Sequence, residues 1–408
     1  MTTDRDEGRT RRYGMSMPKV GVVGGSIAGL TAANLLRDAG CEVDVYERSD
    51  TLLSGFGTGI VVQPELVRYL LERTSTALED ISVPSNEMRY FDAASGRSAG
   101  QVKAGWRFTA YNAVYQKLLD AFGTERYHLG KELVLVTPGA ETATATFADG
   151  AQVTADLLVC ADGGGSVARS QLLGRKPDYA GYVTWRGMVD QSDVSTETWD
   201  FFQDAFTYGL LPDGHIIAYP ISQVSSEGEV TGDTRLNFQW YWNVEAGEAL
   251  DELMTANDGN RRPVSVHFPA LPASSLEEFR SRATSQLAPN FRELITGAPQ
   301  PFVTIVADAD VPRMAFDRLA LIGDAAFTPR PHAAAGAAKA AADAWALADR
   351  LVEASGDVQE ALAAWEPERL AVGEAYLAKV RAMAAALQHG GEFPPGAAEF
   401  RFGLPRPA

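Results

Sequence analysis

The chain is short of sulfur, of histidine and of positive charge. It has two cysteines, Cys41 and Cys160, five histidines, and 36 basic residues against 53 acidic ones, for a formal charge of −17. Two cysteines cannot build a disulfide framework, and no Cys/His cluster has zinc-ligand spacing. The acidic balance argues against nucleic acid or an anionic membrane surface as a partner, because phosphate recognition needs a basic face. No run of about 20 apolar residues offers a membrane span. Residues 1–17 are polar and charged and lack the apolar core of a secretory signal. The Arg11-Arg12 pair is followed by no hydrophobic segment at signal distance. These residues read as a disordered tail, and cytoplasm is the default compartment. What remains is a chain of 408 residues, 46% hydrophobic and 22% charged. That is ordinary for a globular protein and long enough for a large core with a cleft.

Val20, Val22 and Val23 make a short apolar strand that runs into glycines. Residues 27–37 then carry Leu30, Ala33 and Leu36 at helical spacing, and Gly40 stops them. Residues 43–47 form a second strand, which completes a βαβ opening. Asp149-Gly150 between two β-rich runs predicts a hairpin. Cys160 closes the apolar run 157–160 and reads as a buried strand residue. From Tyr182 to about Val244 the sequence alternates and is rich in aromatic and β-branched residues, as in an antiparallel sheet with one buried face. Residues 319–322 return to a short strand. An Ala-rich helix follows to about Leu351, then another over 358–387. The end, 393–408, is rich in Pro and Gly and reads as a tail on the surface.

Three glycine-bearing turns stand out. The first is Gly24-Gly25-Ser26-Ile27-Ala28-Gly29, at the strand-to-helix turn. There, small residues let backbone amides approach a pyrophosphate at a helix N-terminus. Glu47, followed by Arg48, falls at the second strand end, where the fingerprint puts the ribose-binding acid about 20 residues on. The second turn is Asp162-Gly163-Gly164-Gly165-Ser166, with Arg169 after it. The third is Gly323-Asp324-Ala325-Ala326, leading through Pro331 and His332 to Ala334, Ala335 and Gly336. Each reads structurally as a tight turn with a helix cap. The first, with strand, helix and acid all in register, favours a nucleotide ligand.

In this order the motifs resemble the single-component FAD-dependent aromatic hydroxylases. Asp162, Gly163, Ser166 and Arg169 match that family's second motif. Gly323, Asp324, Ala325, Ala326, Pro331, Gly336, Asp343 and Ala344 match its third. Phe327, Ala334 and Ala338 depart from the His, Gly and Asn usual there. Residues 106–119 match the helix that offers an Arg to FAD; Tyr111 holds that register, with Arg107 one turn earlier as the substitute. A narrower resemblance, in 54–64, 181–187, 328–336 and 387–391, is to the 2,6-dihydroxypyridine 3-hydroxylases. The likeness covers nearly everything after residue 17.

The resemblance implies an α/β fold. Its Rossmann-like FAD-binding domain comes from 18–175 and 300–355, its mixed or antiparallel-sheet substrate domain from 176–299, and its C-terminal helix and tail from 356–408. It implies FAD held non-covalently by Gly24, Gly25, Ser26, Ile27, Ala28, Gly29, Glu47, Arg48, Arg107, Asp162, Asp324, Pro331, Ala334, Ala335 and Gly336. It also implies NAD(P)H and O₂ as co-substrates and an electron-rich, hydroxypyridine-type ring as substrate. A homodimer is left open.

Such chemistry calls for a base at the ring hydroxyl and a pocket that excludes water. His215, at the start of a strand, and His332, in the flavin-side turn, are the alternatives for the base, although a strand-end histidine is more often a partly exposed structural residue. Arg186, Tyr219 and Tyr241 are further candidates. Asn237, Gln239 and Tyr241 share one sheet face, and Phe238, Trp240 and Trp242 the other. One face should pack the core and the other roof the pocket. Gly55, Gly57 and Gly59 supply backbone freedom for a moving ring. A reductase or oxidase on the same scaffold, or a flavin-binding module without activity, are the alternatives.

Overall fold

The computed structural model describes residues 17–53, 59–225 and 230–405. All but one residue of the expected tail, and the turn with Gly55 and Gly57, lie outside the described residues.

A six-stranded sheet runs in the order Ala315–Phe316, Leu319–Leu321, Leu157–Cys160, Lys19–Val23, Glu42–Tyr46, Tyr127–His128. Its members are parallel except for the hairpin at 315–321. Leu157, Leu158, Val159 and Cys160 are all fully buried, which explains their unbroken apolar run: a parallel strand covered on both faces has no polar side to show. Helix Ile27–Asp38 packs on helices Tyr111–Phe122 and Gly336–Glu353. The Asp149-Gly150 hairpin joins two strands of a small three-stranded sheet, with Gly150 at φ +84°.

A nine-stranded sheet forms the other half. Its order is Ser265–Val266, Phe302–Asp308, Asp178–Val189, Val230–Asn243, Gly214–Val224, Ala205–Leu211, Val83–Asp92, Ser98–Ala110, Gly59–Val61. It is antiparallel apart from the pairing of Ala205–Leu211 with Val83–Asp92. Phe238, Trp240 and Trp242 face a core with Trp185 and Phe279, whose rings stack at 4.5 Å. Each such side chain contributes about 1.5–3 kcal/mol by burial.

Strands at 59–61, 83–92 and 98–110 also belong to this sheet. Their partners are distant in sequence, so local pattern alone does not reveal the assignment. The helix expected over 106–119 begins at Tyr111, because Val102, Ala104, Trp106 and Phe108 alternate with period two and continue a strand to Ala110. Beyond Gly336–Glu353 comes helix Val358–Gln388, capped by Asp357, whose carboxylate accepts from the Gln359 and Glu360 amides. The tail is not confined to the surface: Phe402 is only 8% exposed and packs among Trp106 and Phe206.

Candidate active site

The first turn is built by steric necessity. Gly24 sits at φ +102°, and a Cβ there would lie 2.3 Å from the Ala161 carbonyl. A Cβ on Gly29 would meet the Gly24 carbonyl at 1.8 Å, and one on Gly25 the Tyr127 hydroxyl at 2.1 Å. Gly29 and Gly25 therefore serve close packing, and Ile27 is buried beside them. Ser26 holds the N-cap position of helix Ile27–Asp38 without a cap bond; its hydroxyl pairs with the Tyr111 hydroxyl at 2.6 Å. Buried Glu47 accepts from the Gly25 amide at 2.8 Å and the Ser49 amide at 2.9 Å. A cleft of about 470 Å³ opens here, lined by Gly24, Ser26, Glu47, Arg48, Asp162, Gly163 and Gly165 among others. It lies at the carboxyl ends of the parallel strands, where open α/β sheets bind ligands.

The second turn caps its own helix. Asp162 accepts from the Ser166 hydroxyl at 2.6 Å and from the Val167 and Ala168 amides at 2.8 and 3.2 Å. Burial pushes its carboxyl above the usual range. Arg169, fully buried, ties this turn to the third by donating to the Asp324 and Ala325 carbonyls at 2.9 and 3.2 Å.

The third turn rests on an ionic cluster. Asp343 accepts from the Gly323 amide (3.0 Å), Lys339 Nζ (2.8 Å) and Arg369 Nε (2.8 Å). Lys339 also donates to the Gly323 carbonyl at 3.0 Å. Asp324 next door lines a second cavity of about 450 Å³, together with Pro331, Ala334 and Gly336. Burial raises the Asp324 carboxyl, with Lys339 and Arg169 working in the opposite direction. Ala335 is buried, and its amide donates to the Tyr376 hydroxyl at 3.0 Å.

All five expected catalytic residues line that second cavity: Arg186, His215, Tyr219, Tyr241 and His332. His215 is 2% exposed, not partly exposed as a strand end would suggest, because helix Val358–Gln388 covers it. Gln388 Nε2 donates to His215 Nδ1 at 2.8 Å, and the imidazole stacks on Tyr241 at 4.2 Å. His332 Nε2 lies 2.7 Å from the Tyr182 hydroxyl. Burial pushes His332 down to about 3, helped by Arg330. Burial, then His332, holds His215 well below its ordinary value. Both imidazoles are thus neutral near pH 7. Burial raises Tyr241 to about 12 and Tyr219 further, while Arg186 pulls both down. Gln239 and Tyr241 roof the cavity, as the alternation of side chains requires.

Arg107 is not brought to either cavity. It lies on strand Ser98–Ala110, where Ser82 takes two of its hydrogen bonds and Glu79 lies 3.6 Å away. Tyr111 occupies the place between the clefts: it lines the second, and its partner Ser26 lines the first. Tyr111, Tyr182, Gln388 and Phe402 were assigned no role from sequence. For Gln388 the only signal was its presence in the 387–391 resemblance.

Residues 22–71 match the model of an NAD(P)-binding Rossmann-like domain, and 179–308 that of an FAD binding domain-like family. The chain is 54% identical over 388 residues to a 2,6-dihydroxypyridine 3-monooxygenase of Paenarthrobacter nicotinovorans, covering 95% of this chain and 96% of that protein. The chain belongs to the FAD-dependent aromatic hydroxylases. It superposes on a solved 2,6-dihydroxypyridine-3-hydroxylase from Arthrobacter nicotinovorans with a TM-score of 0.92, over 96% of this chain and 98% of that one at 54% identity. Klebsiella pneumoniae HpxO, solved with FAD and uric acid, shares the fold at a TM-score of 0.74 and 23% identity, covering 91% and 89% of the two chains.

The α/β fold, the FAD cofactor and the monooxygenase activity expected from sequence therefore hold. The chain's own residues fit FAD. Cβ atoms on Gly163 and Gly165 would meet nothing within 4 Å, so the cleft wall is open at both. The N-terminus of helix Ile27–Asp38 lacks a side-chain cap beside the cleft. No described helix is long and apolar enough to cross a membrane.

Proposed function

We propose that this monooxygenase hydroxylates a hydroxypyridine-type ring in the 450 Å³ cavity, with NAD(P)H and O₂ as co-substrates. The observation that carries the reading is the convergence of Arg186, two neutral imidazoles and two tyrosines on one cavity that Asp324 also lines. The activity named for the 54% identical relative supports the same ring class.

FAD, when bound, supplies the redox chemistry that takes electrons from NAD(P)H and delivers one oxygen atom to the ring. The helix N-terminus at Ile27 would meet the pyrophosphate, and Glu47 and Arg48 would hold the ribose end. Asp324 would accept from the ribityl chain, and the turn from Pro331 to Gly336 would border the ring system. Arg186 brings positive charge to the cavity and stabilises a ring oxyanion, which is the more reactive form of the substrate. His215 and His332 are the candidate partners of the ring hydroxyl, and the burial that keeps both neutral also lowers their basicity. Phe206, Ile217, Ile305 and Val306 give the wall an apolar part beside Thr184, Gln239, Thr304 and Arg330. The same reading divides the chain into a cofactor unit, a substrate sheet and a C-terminal helix, in a cytoplasmic enzyme.

The test is NAD(P)H oxidation by the yellow holoenzyme with and without a panel of hydroxypyridines and phenols, run under labelled O₂. Oxidation that rises with a hydroxypyridine and places one labelled atom in the product is the expected result. Oxidation without label in any product would assign a reductase or oxidase instead.

A further inference from the structure

The last described residues of the chain enter the reaction cavity. After helix Val358–Gln388 the tail crosses strands Val83–Asp92 and Ser98–Ala110, and Phe402 turns inward. Its ring meets Phe206 edge-on at 4.9 Å and Trp106 at 5.2 Å. Two bonds fix the backbone beside it. The Gly403 amide donates to the Ala333 carbonyl at 3.0 Å, and Lys379 Nζ donates to the Gly403 carbonyl at 2.9 Å. Gly403 adopts φ +100°, a conformation that suits glycine. The tail is thereby tied to the turn that carries His332.

Phe402 has space on both sides. On one side is the reaction cavity of about 450 Å³, on the other a chamber of about 360 Å³. Phe402 is the residue common to the two walls. The outer chamber is lined by Met88, Tyr90, Val102, Trp106 and Phe400, a set suited to a flat ring. The Trp106 indole N–H is buried there without an acceptor. Exposed Lys103 and Arg401 stand at its edge, on a chain whose net charge is otherwise strongly negative.

We propose that Phe402 is a specificity-determining residue that limits the substrate to a single ring, and that the chamber behind it is the space a fused second ring would occupy. This rests on the hydroxypyridine reading for the chemistry of the ring, and for the size limit on Phe402 being the residue shared by the two walls. In an apolar pocket one methylene more or less on the ligand is worth about ten- to two-hundredfold in discrimination, and a fused ring is a larger change.

The test is a titration of the holoenzyme, read by the change in bound-flavin absorbance, so turnover is not required. The ligands are matched pairs: a monocyclic hydroxypyridine with a fused hydroxyquinoline, and a phenol with a naphthol. The wild-type protein should favour the monocyclic member of a pair by about tenfold or more. Phe402→Ala should shift that ratio toward the bicyclic member by about tenfold, and Phe402→Leu, which keeps an apolar plug, by less. A ratio that stays within about twofold in both variants, at full flavin content and unchanged thermal midpoint, would overturn the proposal. So would tight bicyclic binding by the wild type. If phenols bind and hydroxypyridines do not, the ring assignment fails, while the phenol–naphthol ratio still tests Phe402. If nothing binds any of the proteins, both readings fail.

Discussion

Replacing Asp343 with Ala tests whether the third turn is held by charge. The carboxylate is fully buried and serves two cations, Lys339 and Arg369, and one amide, that of Gly323. Lys339 is itself 0% exposed and Arg369 5% exposed. Removing one partner of a buried ion pair costs about 3–5 kcal/mol, because the other charge stays in a medium that solvates it poorly. Here one deletion strands two cations, so the upper end applies, although Lys339 can relieve part of the cost by losing its proton. Unfolding entropy of about 2.1 cal/mol/K per residue, taken over the whole chain, converts 5 kcal/mol into a fall of roughly 6 °C in thermal midpoint. Calorimetry of the holoenzyme and apoenzyme should both show it. Because Lys339 and Asp343 grip the Gly323 carbonyl and amide, FAD affinity should fall as well. A triple variant, Lys339→Met with Asp343→Leu and Arg369→Met, removes these three charges, and replacing a buried ionic cluster by apolar residues is often neutral. Its midpoint should recover while FAD affinity stays low. A midpoint for Asp343→Ala within about 1 °C of wild type would refute the argument.

Ala334 holds φ +51° and ψ 35°, the left-handed conformation. That costs an L-residue about 1–2 kcal/mol, of which glycine's greater freedom when unfolded returns part. Ala334→Gly should therefore raise stability by about 0.5–1 kcal/mol, seen as a higher urea midpoint at constant slope; a lower midpoint would count against it. Glu47→Ala should weaken FAD binding by about 1.5–3 kcal/mol on titration calorimetry, and unchanged affinity would make Glu47 a structural strand end only. His332 is held near 3 in the folded protein, below the unfolded value of about 6.5. The unfolded chain therefore takes the proton first. Its contribution is complete above about pH 6.5 and is lost toward pH 3, at about 1.4 kcal/mol per pH unit. His332→Gln should flatten that part of the acid limb of a stability–pH curve, and an identical limb would contradict the burial argument.

The parts of the fold legible in sequence are those set by short-range physics. Gly24 could be read because a positive φ and a close carbonyl leave room for no other residue. The division of Asn237, Gln239 and Tyr241 from Phe238, Trp240 and Trp242 could be read because a strand alternates. Asp324 could be read because an apolar strand delivers it into a glycine turn, whereas Asp343 came only from the family resemblance. Residues brought together by topology were not legible. Arg107 seemed one turn ahead of Tyr111 on a helix, but a strand ends between them. His215 looked like an exposed strand end because nothing near it in sequence reveals that Gln388, 173 positions later, closes over it. Phe402 lay in a stretch rich in Pro and Gly, whose composition reads as surface whatever its aromatic residues do.

The strand order of the six-stranded sheet has a consequence for how the protein is made. Leu157–Cys160 pairs with Lys19–Val23 on one edge and with Leu319–Leu321 on the other. During synthesis the first edge can close early, while the second waits until most of the chain has emerged. Through that interval the nascent protein carries an apolar strand with an unpaired backbone edge, the kind of template on which chains join one another. Asp324 follows immediately on the late strand, and Gln388 and Phe402 come later still. The third cofactor turn, Gln388 beside His215 and the Phe402 part of the substrate wall are therefore among the last pieces to reach the fold.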